Sequence, residues 1–215
     1  MKPLAIALLG AESTGKSTLA VALAERLRAA GRRVVLVPEV LRQWCEHEGR
    51  VPRPDEQSGI AQEQARRVTA VDDADIVIAD TTPLMTAIYS DKLFADRSLH
   101  PFALEHQRLY AATLLTGLDL PWVADGLQRD GPHVRAPIDA MLRAALAEAG
   151  IGYRVIYGSG DARLASALQA LEPVLPGIAR LPPGATAAWT CLNCDDAACE
   201  HRLFSRLRDT AQDPR

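Results

Sequence analysis

Along the first third of the chain the apolar positions change period twice. Leu4 to Leu9 is a continuous apolar run, the pattern of a strand buried on both faces of a parallel sheet. Leu19, Leu23 and Leu27 then recur at helical spacing until Gly31, so strand, glycine-containing loop and helix follow one another directly. Val34 to Val37 predicts a second strand ending at Pro38 and Glu39, and Ile76 to Ala79 a third ending at Asp80. Between them the proline-broken stretch Arg50 to Asp55 predicts a loop, and the segment from Ser58 to about Asp73 a helix.

Further on, Pro101 to Leu115 predicts a helix and Pro121 to Ala124 a short fourth strand stopping at Asp125. The polar, basic stretch Gly126 to Arg135 predicts a lid. Ile138, Met141, Leu142, Ala145 and Leu146 mark an amphipathic helix ending at Gly150, Tyr153 to Tyr157 a fifth strand, and Ala162 to Leu171 a last core helix. Strands alternating with helices imply an α/β three-layer sandwich with a mainly parallel five-stranded sheet. The expected division is one α/β domain over residues 1–180, then a small Cys-rich tail over 185–207 beyond a linker rich in proline and glycine.

Composition narrows the function classes. A net charge of −3 supplies no field for polyanions, and 5% aromatic residues leaves little for stacking on single-stranded nucleic acid. No stretch reaches the roughly 18 apolar residues of a membrane span, so a cytoplasmic protein without nucleic-acid or membrane partners is expected. Cysteine usage agrees: three of the four, Cys191, Cys194 and Cys199, fall within nine residues, spacing unlike a secreted disulfide framework.

The strongest motif is GAESTGKST, Gly10 to Thr18. Its spacing is that of a phosphate-binding loop, in which exposed backbone N–H groups wrap the β-phosphate and glycines allow the close approach. The binding positions are Gly10, Glu12, Ser13, Thr14, Gly15, Lys16, Ser17 and Thr18. Lys16 places a charge on the β- and γ-phosphates of ATP, Ser17 a hydroxyl on Mg²⁺, and the helix that follows adds its dipole.

Two carboxylates end strands. Asp80 is expected to hold Mg²⁺ or to take a proton from an acceptor hydroxyl, with Glu39 at the same sheet edge; a helix cap or a solvated loop acid is the structural alternative for each. Asp125 either orients the lid, binds Mg²⁺ or shapes a turn. Arg129 and Arg135 are candidates to clamp transferring phosphate, with a solvated basic loop as the alternative. Arg163 either stacks on adenine, touches phosphate or sits in solvent.

These residues carry a resemblance. GAESTGKST, PEVLRQW (Pro38 to Trp44), IVIADTTPLMTAIY (Ile76 to Tyr89) and LPWVADGLQRDG (Leu120 to Gly131) are similar to the nicotinamide-riboside kinase part of NadR-type proteins of NAD biosynthesis and to their stand-alone AAA-like ATPase relatives, over roughly Leu4 to Leu171. The resemblance implies a nucleoside-kinase-like fold, ATP as donor, and a small ribosylated acceptor between the ends of the second and third strands. Glu39, Arg42 and Trp44 also resemble the acid, arginine and tryptophan segment of deoxynucleoside kinases, which implies Glu39 as base or hydroxyl anchor and Trp44 as a wall for the acceptor base. The DNA-binding and adenylyltransferase parts of full NadR proteins are not among these residues, so the bifunctional regulator is not expected.

The tail departs from that pattern. Cys191, Cys194, Cys199 and His201 read CLNCDDAACEH, in which the CxxC turn lets two thiolates reach one Zn²⁺. The alternative is a set of reduced thiols packed as small apolar groups, with Trp189 and Leu203 anchoring the tail.

The reading is thus an ATP-dependent phosphotransferase acting on a small nucleoside-like acceptor, nicotinamide riboside first among them, with Lys16, Glu39, Asp80 and Arg129 as its catalytic set. The rival is an ATPase or nucleotide-dependent switch acting on a protein partner. A nucleic-acid module on the tail is disfavoured by Asp195, Asp196 and Glu200.

Overall fold

The computed structural model describes residues 2–123 and 131–178, all within the first of two compact units of the chain, Met1–Arg180. Among the described residues the strands and α-helices follow in the order β1 (Leu4–Leu9), α1 (Lys16–Ala29), β2 (Val34–Val37), α2 (Val40–Glu48), α3 (Gln57–Thr69), β3 (Ile76–Asp80), α4 (Pro83–Phe94), α5 (His100–Gln107), β4 (Ala112–Thr116), α6 (Arg135–Glu148), β5 (Arg154–Ile156) and α7 (Gly160–Leu171). The five strands form one sheet in the order β2-β3-β1-β4-β5, every pair parallel.

Alternation within β1 builds the three layers. Ile6 and Leu8 point to one face and pack with Leu19, Leu23 and Leu27 of α1 and Ala167, Leu168 and Leu171 of α7. Leu9 faces the other way, onto Leu84 and Ile88 of α4 and Ile138 and Leu142 of α6, while Ala7 packs with Val68 of α3 and Tyr110. Both faces are covered, which explains why the strands read as unbroken apolar runs. Among the described residues no helix is long and apolar enough to cross a membrane.

The strand order determines where a ligand goes. β1 is central, with β3 on one side and β4 on the other; the chain runs from β1 to β2 on one side and from β3 across β1 to β4 on the other. The crevice at the carboxyl ends of the strands beside such a reversal is where open α/β sheets bind ligands. The loop of Gly10 to Gly15 leaves β1 at that point.

Two expectations are corrected. The fourth strand is Ala112–Thr116, not Pro121 to Ala124, and the helix expected over Pro101 to Leu115 ends at Gln107. Residues 121–123 have no regular structure, so the argument that placed Asp125 at a strand end fails, and Asp125 itself lies outside the described residues. The physical reason is burial: β4 pairs with β1 and β5, so ATLLT carries apolar residues without a polar alternation and blends into the preceding helical leucines. Boundaries elsewhere move by a few residues: α3 stops at Thr69, β5 spans Arg154–Ile156 and α7 begins at Gly160.

Candidate active site

A loop that turns its N–H groups inward must turn carbonyls outward, and those need donors if they are buried. Thr14, fully buried, donates from its hydroxyl to the Ala11 carbonyl at 2.7 Å and shares a 2.7 Å hydrogen bond with the Thr116 hydroxyl. Because the Thr14 proton is on Ala11, Thr116 at the end of β4 is the donor in that pair, and the Leu9 carbonyl at 3.1 Å is a second acceptor for the same proton. Lys16 Nζ donates to the Ala11 carbonyl at 2.9 Å, which holds the ammonium across the loop. Arg163 Nη2 reaches the Thr14 carbonyl at 2.8 Å.

The backbone conformation explains the two motif glycines. Gly15 caps α1 with φ of 72°, in the left-handed region, and Gly10 has φ of 148°. A Cβ on Gly10 would overlap the Thr116 hydroxyl and lie 3.0 Å from the Thr14 hydroxyl. Gly10→Ala is therefore expected to destabilise the protein by about 2 kcal/mol or more. A urea denaturation midpoint equal to that of wild type would contradict this.

On the outer side of the loop, Glu12 accepts from the Trp122 indole at 3.2 Å, and the Ser13 hydroxyl accepts from the Val123 N–H at 2.8 Å. Leu120 stands close to Gly15, since a Cβ there would lie 3.0 Å from its Cδ1. Residues 120–123 thus border the phosphate loop. Ser17 and Thr18 are the second and third residues of α1, half-buried and exposed respectively.

The carboxylates come from two neighbouring strand ends. Asp80 is the last residue of β3, buried at 5% exposure, and its Oδ1 has no hydrogen-bond partner among the described residues. Directly after it Thr81 takes φ of 70°, unusual for a β-branched residue, while its N–H donates to the Leu8 carbonyl at 3.1 Å. Glu39 is the N-cap of α2 by position, but its side chain makes no capping hydrogen bond there. Its Oε2 lies 3.5 Å from Arg42 Nε, and its side chain is mostly buried.

Desolvation pushes the Glu39 carboxyl above the usual glutamate range; Lys16 opposes this, Asp80 reinforces it, and Arg42 opposes it. Lys16 and Asp80 are therefore each within electrostatic reach of Glu39.

Trp44 is elsewhere. It lines a groove of about 430 Å³ between α2 and α3 with Val40, Gln43 and Ile60, and neither Glu39 nor Arg42 lines that groove. The Arg50 guanidinium lies 4.7 Å from the centre of the indole and is held by a bidentate pair with Glu56 at 2.7 and 2.8 Å. Trp122 places an aromatic ring beside the phosphate loop through its hydrogen bond to Glu12.

Arg163 is 4% exposed, which excludes the solvated alternative, and its hydrogen bonds go to protein oxygens. It lines a cavity of about 240 Å³ with Gly15, Thr18, Leu120, Asp161 and Leu164. Arg135 is the first residue of α6, buried rather than on a solvated loop, and its Nη1 donates to the Leu120 carbonyl at 2.8 Å. Arg129, with Cys191, Cys194, Cys199 and His201, lies outside the described residues. Among the described residues no cluster of three His, Cys, Asp or Glu is placed to hold a metal.

Sequence reasoning missed Thr116 and Asp119. Both follow from the misread fourth strand: once ATLLT is a strand, its last residue and the acid shortly after it fall at the ligand edge.

Sheet order, phosphate loop and strand-end carboxylates define a P-loop nucleotide-binding domain. The chain belongs to the AAA domain family, whose model matches residues 5–163. In fold it is similar to a NadR protein solved in complex with NR, at a TM-score of 0.67 and 20% identity over 84% of this chain and 53% of that one. A second NadR structure, in complex with NAD and AMP-PNP, aligns at a TM-score of 0.63 and 18% identity over 85% of this chain and 52% of the other. This chain spans about half the length of either NadR chain. No curated protein matches it in sequence.

Proposed function

We propose that this protein is an ATP-dependent kinase of a small nucleoside-like acceptor, with nicotinamide riboside the first candidate. The observation that carries the reading is the buried Glu39 carboxylate within electrostatic reach of Lys16 and Asp80 at the edge of the sheet from which the phosphate loop leaves. The fold shared with NadR structures in complex with NR and with AMP-PNP supports the choice of donor and acceptor.

In this reading the loop amides and Lys16 hold the β- and γ-phosphates, so that donor charge is met by groups already in place. Glu39 receives the proton of the attacking hydroxyl. Ser17 and Asp80 form an oxygen set suited to a hydrated Mg²⁺, the unpartnered Oδ1 of Asp80 being the observation that fits a cation. When bound, Mg²⁺ neutralises charge developing between the β- and γ-phosphates. Arg129 is proposed to stabilise the transferring phosphoryl group. Cys191, Cys194, Cys199 and His201 are proposed as a Zn²⁺ set that secures the tail, testable by metal content of the purified protein.

The direct test is ADP release from Mg·ATP with and without a nucleoside panel that includes nicotinamide riboside, with product identified by mass. A large rise with one nucleoside and appearance of its monophosphate are expected. A slow rate independent of every acceptor would replace the kinase with an ATPase or switch.

A further inference from the structure

The back of the phosphate loop is held by a residue far away in sequence. Arg163 sits on the first turn of α7, almost wholly buried, and its guanidinium joins three segments. Nη2 donates to the Thr14 carbonyl at 2.8 Å, while Nη1 donates to the Gly158 carbonyl at 2.6 Å and lies 3.3 Å from Asp119 Oδ1. The other Asp119 oxygen accepts from the Gly158 N–H at 2.6 Å. Asp119 and Arg163 therefore pin both backbone groups of Gly158, and Arg163 carries that anchor on to the phosphate loop.

Thr14 immediately precedes Gly15, the left-handed residue from which α1 starts. Its carbonyl is on the outward side of a loop whose N–H groups must converge on an anion, and only a buried donor keeps it there. A planar, permanently charged guanidinium with several donors can hold two carbonyls and a carboxylate at once; an ammonium on a flexible stem holds one rigidly. Gly158 has φ of 98°, and a Cβ there would lie 3.3 Å from the Arg163 N–H nitrogen, so the contact between this turn and α7 is tight.

The same side chain lines the cavity between α1 and α7, beside Gly15, Ser159 and Asp161. Part of that cavity's wall, Ser159 to Asp161, directly follows the Gly158 turn that Arg163 ties to Thr14.

We propose that Arg163, oriented by Asp119, is a positioning residue: it holds the phosphate loop in its anion-binding shape from behind and acts on the triphosphate through the Thr14 carbonyl, not by contact with the base. The inference rests on the reading of the loop as a nucleotide site.

The discriminating probe is inorganic tripolyphosphate, which has no base, compared with ATP in calorimetric titrations with Mg²⁺. Arg163→Ala is expected to weaken both ligands about tenfold or more, the usual scale for losing a charged hydrogen bond to a buried carbonyl. Arg163→Lys should recover part of that loss. Asp119→Ala, which removes no group from the cavity lining, is expected to weaken tripolyphosphate about threefold or more, and it provides the test if Arg163→Ala fails to fold. An Arg163→Ala or Asp119→Ala protein that keeps wild-type affinity for tripolyphosphate would overturn the inference, whatever its affinity for ATP. Wild-type protein that binds neither ligand would instead overturn the nucleotide-site reading, and the inference with it.

Discussion

Lys16→Ala is expected to lower ATP-dependent turnover by about 10²-fold or more, because in the proposed kinase it removes the charge that the loop presents to the transferring phosphoryl group. The substitution has a second consequence that a merely structural lysine would not share. Lys16 is the largest influence opposing the desolvation of Glu39, so its loss should raise the Glu39 carboxyl further. The residual activity of the variant should then show its acidic limb at higher pH than wild type. Lys16 also donates to the Ala11 carbonyl, so circular dichroism and a thermal melt belong with the kinetics. Unchanged turnover in a folded Lys16→Ala protein would remove Lys16 from the phosphate site.

Glu39→Gln is expected to separate activity from stability. In its proposed role as proton acceptor Glu39 has to be ionised, and burial raises its carboxyl above the ordinary glutamate range. Turnover should therefore fall as pH drops through that raised pKa, and the limb should vanish in Glu39→Gln together with about 10²- to 10⁴-fold of kcat. The sign for stability is opposite to that of a paired surface acid. A carboxyl whose folded pKa lies above its unfolded value binds its proton more tightly when folded, so it costs stability above the folded pKa. That cost shrinks as pH falls through the folded pKa and is gone below the unfolded one.

Glu39→Gln removes the cost, and its melting temperature at pH 8 should equal or exceed that of wild type, with the difference narrowing toward pH 4. Asp80→Asn offers the contrast. If Asp80 holds Mg²⁺, this variant should need more Mg²⁺ for half-maximal turnover, a shift that Glu39→Gln should not show. Glu39→Gln with wild-type kcat and an intact acidic limb would transfer the base role to Asp80.

The parts of the site that were legible in the sequence are those whose chemistry is local. Gly10, Gly15, Lys16 and Ser17 are set by one turn between one strand and one helix, so spacing alone identifies them. Glu39 and Asp80 were legible because each stands within two residues of the end of an apolar run, and in a parallel sheet that position is at the ligand edge. Trp44 shows where local reading stops. Its place five residues after Glu39 resembles an acceptor wall, yet on α2 it shares a face with Val40, Gln43 and His47 and turns to α3, while Glu39 turns to Lys16.

By itself the sequence determined the alternation of strands and helices, the phosphate loop and the two strand-end acids, because each depends on neighbours a few residues apart. Tertiary structure alone decided the identity of the fourth strand, since a strand buried between β1 and β5 has no polar alternation to mark it. It also decided what supports the loop. Thr116 and Arg163 lie 102 and 149 residues from Thr14, and they reach it because the outward carbonyls of a buried anion-binding turn need donors, which the neighbouring strand end and the helix packed alongside supply once the sheet is assembled.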